Sequence, residues 1–306
     1  MKQVYTLQDL ASRELLDAGT TRPARLAVIG HPIAHSASPT MHQAALDAHG
    51  IDARYIRIDV EPGQVGEVFA RMRDLGFIGC NVTVPHKLEA MAHCVIDPLA
   101  AVIGAVNTIR FDEDATRGFN TDCSGFSQAI LEGFGSSLGE LENVLIVGAG
   151  GGAGQAVATQ CATENVRKLV LVNRSLGKLG PMAERLKSLN PDLEVIALAL
   201  DEPSLKDRSL ACKLIVNTSS VGLKTDDPSI LVRDCLKRDH FVYDTIYQPP
   251  VTSLLALANE VGCRTANGLS MLIHQGAIAF STWFPDTNPL PAMQGAMGDQ
   301  KRQENG

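Results

Sequence analysis

Apolar runs of strand length alternate with segments of helical period almost from end to end of the chain. RLAVIG, at 25–30, is an apolar run closed by a glycine, and the loop HPIAHSAS follows it. A helix is expected to open at Ser38, a good N-cap, with Pro39 at the first helical position and Gly50 at the close. ARYIRIDV reads as a strand, VGEVFARMRDLG as a helix, FIGCNVTV as a strand stopped by Pro85, HKLEAMAHC as a helix and AVNTIRF as a further strand. Alternation of this kind predicts an α/β fold, with a mostly parallel sheet covered by helices on both faces.

A second series begins after Asp122. NVLIVGAG is a strand running into a glycine-rich turn, with the helix GAGQAVATQCA behind it; KLVLVNRS, EVIALAL, KLIVNTSS and HFVYDTIY are the strands that follow. They compose a second, doubly wound unit of Rossmann type. The last long helix, GLSMLIHQGAIAFSTWF, is apolar on more than one face and is placed back against the first domain. The division expected is therefore 1–121 with 268–306 as a substrate-binding and catalytic domain, and 122–267 as the nucleotide domain.

The two ends read differently. Leu7, Leu10, Ala11 and Leu15 recur at helical spacing, with Thr6 and Asp9 able to cap them, which predicts a short amphipathic helix packed on the domain or on a partner subunit. The stretch after Pro285 is polar and without period, and a loose tail is expected there.

Composition narrows the function classes. The chain has 306 residues, 45% hydrophobic and 20% charged, with a formal net charge of -7. That balance argues against nucleic acid as partner, since neutralising phosphates takes a surplus of Lys and Arg. No apolar run approaches the roughly 18 residues that span a bilayer, so no membrane partner is expected. The N-terminus lacks the continuous apolar stretch of a secretory signal, and the seven cysteines form no C-x-x-C pair, which fits a cytoplasmic protein with reduced thiols. His31, His35 and His42 lie close in sequence, but no acid or Cys shares a ligand spacing with them, and no metal is expected.

Two sets of residues carry chemistry. Gly148, Ala149, Gly150, Gly151, Gly152 and Ala153, followed by Gly154, sit between an apolar strand and a helix, the context that turns a weak glycine pattern into a dinucleotide fingerprint. The next strand ends in Asn173, Arg174 and Ser175, with Lys178 one turn on. A carboxylate at that place would bond a ribose hydroxyl and repel a 2′-phosphate, whereas cations attract it, so the expected cofactor is NADP. The second set is HSASP (35–39), NVTVPHK (81–87), GAVNT (104–108) and NTD (120–122), polar segments at or just past strand ends, where ligands bind in open α/β sheets.

HSASP, NVTVPHK, GAVNT and NTD, then the glycine loop, NRS, NTSSVG, DTIYQPPVT and NGLSMLIHQGAIAF, resemble the shikimate dehydrogenase family in order and spacing from about residue 25 to residue 284. The resemblance implies an N-terminal substrate domain, a Rossmann-type NADP domain and a C-terminal helical segment returning to the first. It implies NADPH-dependent, reversible reduction of 3-dehydroshikimate to shikimate. Lys87 and Asp122 would form the catalytic pair; Ser36, Ser38 and Tyr247 would hold the substrate carboxylate; Thr83, Asn107, Asp122 and Gln275 would bond the ring hydroxyls. Thr218 and Gly268, from NTSSVG and NGLSM, join the cofactor set. The partner implied is a small-molecule ring acid, and a homodimer is allowed.

Simple chemistry agrees with these roles. A ketone oxygen becomes an alkoxide as hydride arrives, and a positioned Lys ammonium stabilises that charge and supplies the proton. Each residue also has a plainer reading: Ser38 as helix cap, Thr83 as strand former, Asn107 and Asp122 as turn residues, Lys87 as an exposed cation, Tyr247 as a core aromatic. Three other functions stay open at this level: a quinate/shikimate dehydrogenase paralogue with broader substrate or NAD use, a non-catalytic nucleotide-binding regulator, and a Rossmann enzyme on another small polar acid. Ser270, Ser253 and Leu223 stand where glycine, proline and methionine are common in the family.

Overall fold

The structure is a computed structural model describing residues 2–304, with side chains described as far as 298. It divides into two compact units, Met1–Thr121 with Gln275–Gly306, and Asp122–His274.

In the first unit the elements run β1 (Tyr5–Thr6), α1 (Arg13–Leu16), β2 (Ala24–Gly30), α2 (Ser38–Ala48), β3 (Arg54–Asp59), α3 (Val65–Asp74), β4 (Gly79–Val82), β5 (Val95–Ile96), α4 (Pro98–Ile103), β6 (Thr108–Phe111) and β7 (Thr116–Phe119). They build one seven-stranded sheet in the order β1-β3-β2-β4-β6-β7-β5. Strand β6 runs antiparallel to both β4 and β7. The sheet is mostly parallel, as expected, with this one antiparallel hairpin inserted. The hairpin escaped the sequence reading because its turn, Asp112–Ala115, is short and charged: Arg110 and Arg117 both hold Asp112, at 2.8 and 2.7 Å, and Asp112 N donates to Ala115 O. The helix expected over HKLEAMAHC is only a 3₁₀ turn, Glu89–His93.

The N-terminal segment forms no single amphipathic helix. Tyr5–Thr6 adds an edge strand beside β3, and Thr6 and Asp9 do form the capping box, on a 3₁₀ turn, Leu7–Ala11; Ser12 then starts the short α1. The break lets Tyr5, Leu7, Leu10 and Leu16 all enter the core of this unit. It also closes over Arg54, a buried cation that donates to Arg22 O, Tyr5 Oη, Leu16 O and Asp17 Oδ1. A buried charge demands that many partners.

In the second unit the order is α5 (Asp122–Phe134), β8 (Asn143–Val147), α6 (Gly152–Thr163), β9 (Lys168–Asn173), α7 (Leu179–Leu189), β10 (Glu194–Ala199), α8 (Leu205–Leu210), β11 (Leu214–Asn217), β12 (Phe241–Asp244), α9 (Ser253–Val261) and β13 (Arg264–Asn267). The sheet order is β10-β9-β8-β11-β12-β13, parallel throughout. This is the doubly wound Rossmann order, with the chain reversing direction across the sheet between β8 and β11. Its strands are buried on both faces. Val144, Ile146, Leu169 and Leu171 face one apolar core and Leu145, Val147, Val170 and Val172 the other, as a period of two requires.

Helix α10 (Leu269–Trp283) begins in the second unit and ends in the first, where Trp283 Nε1 donates to Ile109 O at 2.8 Å and Arg110 donates to Thr282 O. The chain beyond Pro285 is no loose tail. It forms α11 (Leu290–Glu304), which packs on α2 and buries Met293 and Met297; residues 305 and 306 lie outside the described residues.

Candidate active site

In the first unit, two segments lie zipped side by side at the ends of β2 and β4. Gly30 closes β2 so tightly against the second that an added Cβ would meet Thr83 Cγ2 at 2.6 Å and Val84 O at 3.2 Å. Thr83 N donates to Ile29 O and His31 N to Val84 O. The loop 31–38 and the segment NVTVPHK are therefore held as one surface.

The backbone around Lys87 is fixed from several directions. His86 is fully buried, and its Nε2 donates to Val60 O at 2.7 Å, so this nitrogen carries the hydrogen. His86 N donates to Thr83 O, and Val106 N to Lys87 O, both at 2.9 Å. The Lys87 side chain is half-buried. One turn on, the Glu89 carboxylate accepts from Gly63 N and Val65 N, which ties this segment to the start of α3.

Asn107, Thr121 and Gln275 converge. The Asn107 carboxamide donates to Thr121 Oγ1 at 3.0 Å and to Gln275 Oε1 at 3.5 Å, and its oxygen accepts from Thr121 N at 2.9 Å. Thr121 Oγ1 also reaches Gln275 Oε1 at 3.4 Å. Residues 154 positions apart in sequence thus meet in one polar cluster. Because Val82 N donates to Asn107 O, the cluster continues directly into NVTVPHK.

Ser38 departs from its expected role. The N-cap of α2 is Ala37; Ser38 is the first helical residue, and no side chain caps this end. Its hydroxyl is not spent on capping, because the helix starts one residue earlier than the Ser-Pro pattern suggests. Ser38 is nearly buried, Ser36 is half-exposed, and Ser38 N donates to Ser36 Oγ at 3.3 Å.

The three clustered histidines separate. His31 Nδ1 pairs with Asp59 Oδ1 at 2.6 Å, and that hydrogen bond raises its pKa, with Glu61 adding to the shift and burial opposing it. His35 is exposed. His42 is fully buried, stacked on the Tyr55 ring at 4.4 Å, and burial pushes its pKa down to about 3.

In the second unit, the turn from β8 into α6 is built on glycine. Gly148 has φ +82°, a conformation L side chains rarely adopt. Gly150 passes Asn173 Nδ2 so closely that a Cβ would stand 2.9 Å from it. Ala153, the last position of the fingerprint, is half-buried. The close approach is at Gly154, where a Cβ would meet Ala149 Cα at 2.6 Å and Ala149 O and Gly148 O at 2.7 Å. Gly151 and Gly152 face outward, exposed, at the start of α6. A dinucleotide fits this cradle: the turn carries no side chains that would exclude a pyrophosphate, and a helix N-terminus offers it amides and positive charge.

Beyond β9, Asn173 Nδ2 donates to Ser175 O, which fixes the turn, while Arg174, Ser175 and Lys178 are exposed. Thr218 Oγ1 is bonded to Val147 O at 2.8 Å, closing the end of β8. Gly268 sits against Thr245, whose carbonyl a Cβ would strike. Asp244 is buried and accepts from Thr252 Oγ1, Asn217 Nδ2 and Ile246 N, which shapes the turn that leads to Tyr247. Burial raises the Asp244 pKa against those three bonds, and it raises the half-buried Tyr247 phenol as well. Asp122 is the first residue of α5.

Within the first unit the structure joins Asn107, Thr121 and Gln275 through their side chains, and links the loop that carries Ser36 and Ser38 to the Thr83–Lys87 segment through backbone bonds. Within the second it groups residues 148–153 with 173–178 and Thr218. Sequence reasoning gave no role to Thr121, which the geometry ranks with them. Thr121 binds both Asn107 and Gln275, and its signal was its place inside NTD. Gly154, already part of the glycine run, packs as closely as Gly148: an added Cβ at either would stand 2.6 Å from backbone.

The class these features define is a two-unit α/β protein, with a mixed-sheet unit that gathers polar side chains at its strand ends and a Rossmann unit built for a dinucleotide. The chain belongs to the shikimate dehydrogenase family. Residues 28–109 match the shikimate dehydrogenase substrate binding domain, and residues 268–297 match the shikimate 5'-dehydrogenase C-terminal domain. A shikimate dehydrogenase (NADP(+)) of Methanopyrus kandleri is 36% identical over 278 residues, 90% of this chain and 95% of the relative. One of Moorella thermoacetica is 38% identical over 270 residues, 88% and 90% of the two chains. Among solved structures, shikimate 5-dehydrogenase from Thermus thermophilus in complex with NADP(H) and shikimate superposes with a TM-score of 0.76 at 34% identity, covering 89% of this chain and 98% of the other.

Proposed function

We propose that this chain catalyses the reversible, NADPH-dependent reduction of 3-dehydroshikimate to shikimate, with NADP held by the second unit. The observation that carries this reading is the Asn107–Thr121–Gln275 cluster continuing into the segment that bears Lys87. Amides and hydroxyls gathered beside a lysine suit a polyhydroxylated ring ketone, because a site built to bond hydroxyls penalises analogues that lack them. Family membership and the NADP(+) names of the relatives support the same reaction.

In this reading Ser36, Ser38 and Tyr247 hold the carboxylate, and Thr83, Asn107, Asp122 and Gln275 bond the ring hydroxyls. Gln275 Oε1 already accepts from Asn107 and Thr121, so Gln275 serves the ligand through its Nε2 as a donor. NADPH, when bound, supplies the hydride that reduces the ring ketone carbon. Lys87 Nζ donates a proton to the oxygen as it takes up negative charge, so ketone, hydride and proton sum to the alcohol. Asp122 orients the Lys87 ammonium and accepts from a ring hydroxyl. Gly148 to Ala153 would cradle the pyrophosphate, Asn173, Arg174, Ser175 and Lys178 would receive the 2′-phosphate, and Thr218 and Gly268 would shape the remaining wall. Arg174 and Lys178, with no carboxylate at the ribose position, support NADP over NAD. The relatives' names support shikimate over quinate. All seven cysteines are free thiols, which supports a cytoplasmic setting.

The test is an NADP-linked absorbance assay with shikimate and with quinate, each repeated with NAD. Turnover is expected with shikimate and NADP, and silence on both acids defeats the proposal. In Lys87→Ala, turnover should fall by about 10²–10⁴-fold, the usual worth of a general acid, while NADP binding persists. Retained turnover would remove Lys87 from the mechanism.

A further inference from the structure

Strand β3 acts as a ruler for the loop that carries Ser36 and Ser38. Alternate residues on one face of a strand project the same way, and Tyr55, Arg57 and Asp59 are such a set. Asp59 takes His31 at the start of the loop. Arg57 forks onto the Ser36 carbonyl, Nε at 3.0 Å and Nη2 at 2.7 Å. Tyr55 donates to Asn81 Oδ1 at 2.7 Å and stacks on His42 of α2.

Arg57 differs from three neighbouring arginines that are held by aspartates. Arg13 and Arg54 each hold Asp17, and Arg22 holds Asp47. Arg57 has no carboxylate partner among the described residues; both of its hydrogen bonds go to one neutral carbonyl. It is half-buried, and desolvation lowers its pKa, so its charge is only partly relieved by solvent. An open groove of about 460 Å³ runs past it, lined by Lys2, Tyr5, Thr40, Gln43, Tyr55 and Arg57 among others, with no acid in its lining. An uncompensated guanidinium thus stands one carbonyl behind the Ser36 and Ser38 hydroxyls.

We propose that Arg57 is the positioning and specificity residue for the acid end of the substrate: it fixes the Ser36–Ser38 loop through the Ser36 carbonyl and supplies the positive charge that the ring acid's carboxylate neutralises. This rests on the reading that Ser36 and Ser38 grip that carboxylate. A guanidinium is suited to both tasks, because its planar fork holds geometry while its charge persists at any working pH. Arg57 does not touch the reacting atoms, so its effect belongs to substrate affinity and to preference for an acid over its ester.

The experiment is steady-state kinetics at saturating NADP with shikimate and with its methyl ester, on the full chain and on Arg57→Gln, Arg57→Lys and Ser36→Ala. In Arg57→Gln, KM for shikimate should rise about tenfold or more with kcat within about threefold, KM for NADP unchanged, and the preference for acid over ester reduced. Arg57→Lys keeps the charge without the fork and should recover part of that preference. A similar rise of KM for acid and ester in Arg57→Gln, or no rise, overturns the proposal, because a merely structural role has no reason to favour the acid. If Arg57→Gln does not fold, an Arg57→Lys variant with unaltered KM and unaltered preference overturns it equally. Ser36→Ala separates the two readings. If it leaves the preference intact, the carboxylate assignment fails; if it lowers the preference while Arg57→Gln does not, only the Arg57 proposal fails.

Discussion

The Gly154→Ala substitution is the sharpest probe of the nucleotide turn. The added methyl carbon would stand 2.6 Å from Ala149 Cα and 2.7 Å from both Ala149 O and Gly148 O. All three atoms are backbone, so no rotamer change can relieve the contact; α6 must back away from the turn, or the turn must open. Overpacking of this kind costs about 1–3 kcal/mol, and the lack of any yielding side chain argues for about 3 kcal/mol. Against it, alanine in a helix gains about 1 kcal/mol over glycine. The net expectation is a loss of about 2 kcal/mol, or roughly 4–8 °C in the melting temperature of the second unit. For the melting temperature alone, Gly152→Ala is the matched control, since a Cβ there meets nothing within 4 Å. The same displacement moves Gly148 and Ala149, so NADP affinity should fall on the order of tenfold, about 1.4 kcal/mol. Calorimetric melting and NADPH titration read both effects. The packing argument is refuted if Gly154→Ala melts as high as the unaltered chain and binds NADP within about twofold of it.

Two further expectations concern the first unit. Burial alone would raise the Asp17 carboxyl, but the Ala24 amide, the Arg54 hydrogen bond and the charges of Arg13 and Arg54 together hold it below the ordinary value. A depressed pKa means stability present above the unfolded carboxyl's pKa and lost as pH falls through the folded one. Asp17→Asn, which weakens the pairing of Arg54, should therefore cost about 2 kcal/mol at neutral pH and progressively less in acid. Urea titrations followed by Trp283, the chain's single tryptophan and part of this unit, give the value, and a cost that does not shrink with acid would count against the assignment. For His31 the sign is opposite. The Asp59 hydrogen bond raises its pKa, so its contribution is present below the unfolded imidazole pKa and fades as pH rises through the folded one. In Asp59→Asn the His31 resonances should titrate at lower pH by NMR, and an unmoved titration would show that Asp59 is not the cause.

The parts of the fold that were legible in sequence are those where one physical requirement fixes the pattern. A strand buried on both faces must be apolar throughout, and VLIV and LVLV at the centre of the Rossmann sheet are. A turn that lets a helix start against a strand end must be glycine, and residues 148–154 answer to that. Where short-range and long-range requirements competed, the pattern misled. The N-terminal leucines have helical spacing, but Tyr5 and Thr6 were captured by β3 and the helix broke at Ser12. Met293 and Met297 are too sparse among glycines and polar residues to announce a helix, yet α2 provides the surface that buries them. The Thr116–Phe119 strand was hidden because its pairing rests on the arginine–aspartate turn, which a search for apolar alternation ignores.

The same contrast explains the candidate site. Residues that the family resemblance named lie in short segments, and each segment was visible because it is polar where a strand end should be apolar. What holds those segments in place was not visible, since the holding groups look ordinary in sequence. His86 reads as a neighbour of Lys87, but its buried ring ties that segment to Val60. Thr121 reads as a neighbour of Asp122, but it orients Gln275 across 154 residues. Arg57 reads as a polar residue in an alternating strand, but its fork sets the carbonyl of Ser36. Contact residues are dictated by the chemistry of a ligand and so leave a local trace. Positioning residues are dictated by distances between segments, which only the folded chain defines. Variation in substrate preference among chains that share the same contact segments should therefore be sought first in residues such as Arg57, one step behind the contacts, rather than in the segments themselves.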